Sequence, residues 1–320
     1  MFDSSHRSNT LGFLLTCVLA AWAGQSSSAQ DLPGKKTKKT GEVREVIFEQ
    51  GITYGKGADV ELKLNMARPK GSQKSAKPLP CIVAIHGGGW AAGHRNDFNP
   101  LVKKIARRGY VAVTVSYRLA PKYPFPAQIE DVKCAVRYLR AHAKKYNIDP
   151  KRIGAVGMSA GAHLAMMIGA MDKPDGLEGN GGWADRSSKV QAVVSFVGPT
   201  DLTRTDFPDR VKGILQGFIG GSLEEKPDSY AAASPITYLD KSDAPMLLFH
   251  GTKDPLIPNT QAFVMAEALT KAEIPGRVEL LLGKGHGWGE PHMSQTLEKT
   301  YLFFDQQLGR DRIETKAGPK

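Results

Sequence analysis

A chain of 320 residues, 41% hydrophobic and 23% charged, is too rich in apolar side chains for a disordered protein and long enough for one large α/β domain. The formal net charge is +11, but residues 30–44 carry five Lys/Arg against two Asp/Glu, and residues 309–320 carry four against two. Nearly half of the excess therefore sits in two terminal segments. No run of basic residues interleaved with stacking aromatics follows a groove pattern, which argues against a nucleic-acid partner.

In chain order, Arg7 precedes an apolar stretch, Leu11 to Ala23, of signal-peptide length. Ala21-Trp22-Ala23 and Ser27-Ser28-Ala29 offer A-x-A-like cleavage sites. The pattern predicts a signal peptide over residues 1–29 and a basic linker over 30–42. The protein is then secreted or periplasmic, with no stable membrane insertion after cleavage. Removal of the leader leaves Cys81 and Cys134, each in an apolar element, read as free buried thiols.

Residues 43–54 and 59–68 alternate in polarity and contain β-branched residues, predicting an antiparallel hairpin that turns at Gly55-Lys56-Gly57-Ala58. A Pro/Lys/Ser-rich loop follows over 69–80. Cys81 to Ile85 is a continuous apolar run, as expected of a strand covered on both faces. Further buried strands are predicted at Tyr110 to Tyr117, Ile153 to Val156, Val190 to Val197, Pro245 to His250 and Arg277 to Leu282. Helices are predicted at Phe98 to Arg108, along the stripe from Ile129 to Leu139, after Gly161, at Asn259 to Ala272, and from Met293 to Leu308. This alternation predicts a mostly parallel, doubly wound sheet of about eight strands with chemistry at the C-terminal strand ends. The domain spans 43–308, with a tail over 309–320. Within it, residues 202–238 have no strand pattern. Leu215, Phe218 and Ile219 suggest a short helix there, and the segment could form a cap over the site.

Gly157-Met158-Ser159-Ala160-Gly161 stands between a predicted strand and a predicted helix. That is the setting of a nucleophile elbow, in which a strained turn lifts the serine. A serine hydroxyl needs a base to take its proton and an acid to orient that base. Asp254 falls in the loop after the strand ending at His250, and His286 in the loop after the strand ending at Leu282. Asp201 is a rival acid. His163, His250 and His292 fit less well as the base. An acyl-transfer site also needs N–H donors for a developing oxyanion. His86-Gly87-Gly88-Gly89-Trp90 follows an early strand and supplies Gly88 and Gly89, while Ala160 supplies a third amide at a helix start. No G-K-[ST] follows, so a phosphate loop is excluded. Trp90, Phe125 and Trp288 are candidate substrate-pocket residues, able to stack on a ring or to pack the pocket walls. The chemistry requires no cofactor and no metal.

With these residues in place the chain resembles the α/β-hydrolase fold. Within it, the resemblance is to the esterase branch that includes hormone-sensitive lipase and bacterial acetylxylan and feruloyl esterases. The resemblance is carried by His86 to Trp90, Tyr117 to Ala127, Gly157 to Gly161 with Ala162-His163-Leu164-Ala165, Gly198 to Leu202, Asp254 and His286. Lipase-like elbows usually carry Asp before the serine and a second glycine after Gly161. Met158 and Ala162 stand there instead, which leans toward the polysaccharide esterases. The resemblance implies a Ser-His-Asp carboxylesterase acting on acetyl or feruloyl esters of a small molecule or a polysaccharide. His86 to Trp90 also fits the H-G-G-x-W of kynurenine formamidases. A prolyl-oligopeptidase-like hydrolase and a non-catalytic hydrolase-fold binding protein are further alternatives.

Overall fold

The computed structural model describes residues 45–309. The predicted signal peptide and basic linker, and the predicted tail beyond Gly309, lie outside the described residues. Eight strands form one sheet: β1 (Val46–Gly57), β2 (Val60–Pro69), β3 (Leu79–Ile85), β4 (Val111–Val115), β5 (Ile148–Met158), β6 (Ala192–Phe196), β7 (Met246–Gly251) and β8 (Gly276–Leu281). Their order is β1-β2-β4-β3-β5-β6-β7-β8, and β2 alone runs against its neighbours. The helices are α1 (Asn99–Arg107), α2 (Ala127–Ala141), α3 (Ala143–Tyr146), α4 (Ala160–Ala170), α5 (Asp209–Ile219), α6 (Pro227–Ala232), α7 (Thr260–Lys271) and α8 (His292–Gln307).

The central strands read as apolar runs because each is covered twice. Along β3, Cys81, Val83 and Ile85 face one core, while Ile82 and Ala84 face the other. The second core is closed by Leu101, Val102 and Ile105 of α1 and by Leu297, Tyr301 and Phe304 of α8. The first is closed by α2, α4, α5 and α7. Every residue of α4 is buried, so the helix behind Ser159 has no solvent face. Cys81 and Cys134 are free and buried, and burial pushes the Cys134 thiol up to about 11.

One local reading needs correction. The hairpin strands run on to Gly57 and restart at Val60, so the turn is Ala58-Asp59 rather than Gly55 to Ala58. Residues 171–189 also form an excursion with only a 3-10 turn, Lys173–Asp175, that periodicity did not separate from its neighbours. It is pinned by Glu178, which pairs with the buried Lys133 at 3.1 Å and the buried Arg137 at 2.5 Å. The 202–238 segment has no strand and holds α5 and α6.

Candidate active site

The elbow is a strand-to-helix turn with Ser159 at φ 56° and ψ −123°, a conformation that costs a non-glycine residue energy and needs its surroundings to hold it. They do so through backbone contact. A β-carbon on Gly157 would lie 2.2 Å from the Gly161 carbonyl oxygen, and one on Gly161 would lie 2.1 Å from that of Ile85 in β3. Only glycine lets strand, turn and neighbouring strand approach so closely. The Ser159 amide donates to Phe196 O at 2.8 Å, which ties the turn to the end of β6.

The His86–Trp90 loop leaves β3 beside this turn. A β-carbon at Gly87 would be 2.8 Å from Met158 O and 3.3 Å from Ser159 Cβ, so the loop lies against the elbow. His86 stacks on Tyr117 at 4.4 Å, and Tyr117 Oη donates to His86 O at 2.9 Å. Burial lowers the His86 pKa to about 4, which keeps the ring neutral. Gly88, Gly89 and Trp90 follow at φ 118°, 58° and 58°. Among the described residues, the amides of Gly88, Gly89 and Ala160 donate to no protein acceptor. Ala160 opens α4, so the positive end of that helix adds to the field there.

Asp254 and His286 meet. His286 Nδ1 lies 2.8 Å from Asp254 Oδ2, and the Asp254 side chain is fully buried. Asp254 Oδ1 accepts from the amides of Leu256 and Ile257 at 2.9 and 3.0 Å, so both oxygens are engaged. The carboxylate accepts the imidazole's Nδ1–H, which leaves the Nε2 lone pair free to take a proton. Three contacts carry the His286 loop from the sheet edge back to the elbow. A β-carbon on Gly251 would be 2.2 Å from Gly285 O, above the end of β7. Trp288 packs on Phe196 at the end of β6, with ring centroids 5.9 Å apart. A β-carbon on Gly287 would lie 3.4 Å from Cε of Met158, the residue before Ser159.

The BD-FAE family model matches residues 64–269, more than half of the chain and including the elbow, the His86–Trp90 loop and Asp254. The chain belongs to the BD-FAE family. Among curated relatives, Esterase LipQ of Mycobacterium tuberculosis is 31% identical over 224 residues, covering 69% of this chain and 52% of LipQ. The chain spans about half the length of the curated relatives it matches. A truncated carbohydrate esterase from gut microbiota has a TM-score of 0.73 at 26% identity, covering 85% of this chain and 99% of that one. Thermogutta terrifontis Est2, a thermophilic esterase, has a TM-score of 0.67 at 29% identity, covering 82% and 92%. These neighbours and the eight-stranded sheet make the fold that of the α/β-hydrolases.

Within this BD-FAE domain the remaining candidates fall into place. Asp201 Oδ1 accepts from the Thr203 amide and hydroxyl, so it caps its own turn and is not the partner of His286. His250 stands 3.7 Å from Asp254 Oδ2, but its Nε2–H donates to Ile257 O at 2.9 Å, and burial lowers its pKa. It braces the loop that carries Asp254. Trp90 and Trp288 are only 3% and 5% exposed, so of the two readings left open for these rings they follow the packing one. Trp90 stacks on Phe218 at 4.3 Å, and Trp288 donates to Thr296 Oγ1 at 3.1 Å. Phe125 is half-buried, edge-on to Phe218. The Tyr117–Ala127 stretch is braced by Arg118, which pairs with Asp131 at 2.8 Å and Glu130 at 3.0 Å. Ile214 of α5 was not anticipated. Its Cγ2 lies 3.0 Å from where a β-carbon on Gly89 would be, so α5 sits on the His86–Trp90 loop. Nothing in the spacing of apolar residues in 202–238 pointed to that contact.

Proposed function

We propose that the protein is a serine carboxylesterase working through an acyl-enzyme. Ser159 Oγ attacks the ester carbonyl carbon as its proton passes to His286 Nε2. The Nδ1–H bond to Asp254 orients the ring and stabilises its cationic form. The carbonyl oxygen becomes an oxyanion held by the amides of Gly88, Gly89 and Ala160, each such donor contributing about 3 kcal/mol to the barrier reduction. His286 returns the proton to the leaving alcohol, and the acyl–Ser159 ester forms. Water, deprotonated by the same imidazole, then adds to that ester and releases the acid and the free serine. The observation that carries this reading is the 2.8 Å Asp254–His286 bond on a loop that returns to Met158 beside Ser159.

For the substrate we propose acetyl esters, and secondarily feruloyl esters, on a polysaccharide. Met158 and Ala162 in the elbow and the similarity to a carbohydrate esterase support this. Ser159→Ala is expected to lower turnover of 4-nitrophenyl acetate by about 10⁴-fold or more while leaving the melting temperature in place. Near-normal hydrolysis by that variant sinks the mechanism. Acetylated xylan, methyl ferulate, N-formylkynurenine and a proline peptide assayed side by side separate the substrate classes, and preference for either of the last two overturns the polysaccharide assignment.

A further inference from the structure

His163 lies four residues after Ser159 on α4 and takes no part in the Asp254–His286 pair. Its amide donates to Ser159 O at 3.0 Å, and its imidazole is fully buried. The two ring nitrogens have different partners. Nδ1 accepts from Trp90 Nε1–H at 3.2 Å, and Nε2 lies 2.6 Å from Ala233 O. An indole N–H only donates and a carbonyl only accepts, so the ring is the neutral Nε2–H tautomer. Burial, which lowers its pKa to about 4, holds it there.

The partners of this ring are the reason it matters. Trp90 directly follows Gly88 and Gly89 and closes three successive residues of positive φ. Trp90 has a β-carbon, so φ 58° persists only where the surroundings over-determine it. The indole is fixed by His163 on its edge and by Phe218 of α5 on its face, and Trp90 O accepts from the Ala120 amide at 2.9 Å. Ala233 directly follows α6, and Ile214 rests on Gly89. One imidazole therefore joins the nucleophile's helix, the oxyanion loop and the far end of the 202–238 segment.

We infer, resting on the esterase reading, that His163 is a positioning residue. Nδ1 fixes the Trp90 indole and through it the orientation of the Gly88 and Gly89 amides, while Nε2–H ties the 202–238 segment to the helix that carries Ser159.

Two substitutions separate the two nitrogens. An Asn side-chain oxygen falls near the position of Nδ1, and a Gln side-chain nitrogen falls near that of Nε2. His163→Gln therefore keeps the donor to Ala233 and loses the acceptor for Trp90, whereas His163→Asn does the reverse. Trp90→Phe removes the same hydrogen bond from the other side and keeps a ring against Phe218. His163→Gln and Trp90→Phe are expected to lower kcat about tenfold with KM within about twofold, since misplaced donors act on the transition state. Affinity for a trifluoromethyl ketone, whose adduct carries an oxyanion, should fall by a similar factor. His163→Asn should lose no more than about threefold in kcat, although it melts lower. Equal kcat losses in the Asn and Gln variants, or an unchanged ketone affinity when kcat falls, overturn the proposal. Long-range ¹⁵N–¹H correlations on the wild-type protein read the tautomer without substrate. An Nδ1–H tautomer in a protein that hydrolyses esters overturns this proposal alone. A wild type inert toward esters and the ketone overturns it together with the esterase reading.

Discussion

The two halves of the site are built differently. The half that carries Ser159, the proposed nucleophile, hangs from β3 and β5 in the middle of the sheet, where every residue from Ile153 to Met158 and from Pro80 to Ile85 is buried. The half that carries His286, the proposed base, hangs from β7 and β8, and β8 is an edge strand whose residues are all exposed or half-buried. In the nucleophile half, position is set by backbone against backbone, with no room for a methyl group at Gly157 or Gly161. In the base half Gly251 also meets backbone closely, but the aim of the imidazole depends on side-chain bonds, from Asp254 to His286 and from Trp288 to Thr296. A serine that must sit in a strained turn needs a scaffold that cannot relax. A base that must accept, turn over and return a proton needs a hydrogen-bonding partner more than a rigid backbone. The two halves should therefore fail in different ways when a single residue is changed.

The largest effect is expected from Gly161→Ala. The new methyl would meet Ile85 O at 2.1 Å, and neither the central strand nor the buried helix can move aside cheaply. The variant should lose about 3 kcal/mol or more of stability, seen as a melting temperature lower by roughly 6–12 °C, together with its activity. A wild-type melting curve would break the contrast between the halves. Next is Asp254→Asn, which leaves an oxygen for the amides of Leu256 and Ile257 but presents no acceptor to His286 Nδ1–H. It should keep its fold and lose about 10³- to 10⁴-fold in kcat; a loss below tenfold in steady-state assays would remove Asp254 from the mechanism. The smallest effect concerns acid. His163 is buried neutral, with a pKa lowered from 6.5 to about 4. The unfolded chain binds the proton first, so the ring's contribution to stability is present above pH 6.5 and is lost as pH falls toward 4. His163→Asn carries no titrating ring at that position. The melting-temperature gap between wild type and this variant should narrow between pH 7 and pH 4.5 by calorimetry, and a gap that widens on acidification contradicts a neutral buried ring.

Much of this organisation was legible in the chain. The run Cys81 to Ile85 reads as a doubly covered strand because period-two burial on two faces leaves no polar position. Gly157 to Gly161 and His86 to Trp90 read as chemistry because glycine is needed where backbones nearly touch, and such a need leaves a mark in the sequence. The order Ser159, Asp254, His286 follows from one loop per strand end in a parallel sheet. Trp288 and Trp90 were harder to place. An aromatic residue beside a reactive one has the same letter whether its ring faces a ligand or a core, and only the packing of Phe196 and Phe218 against them decided it.

Sequence by itself determined what each element is and which residues lie at the strand ends, because periodicity, glycine placement and loop order are properties of the local chain. Tertiary structure alone decided that the His286 loop crosses two strands back to Met158, that Asp201 serves its own turn, and that α5 rests on the His86–Trp90 loop through Ile214 and Phe218. It also decided that His163, an unremarkable helix residue by spacing, joins Trp90 to Ala233. Apart from the Asp201 turn, these are contacts between residues about seventy to one hundred and thirty positions apart. They arise from the way whole elements pack, which no local pattern of side chains encodes.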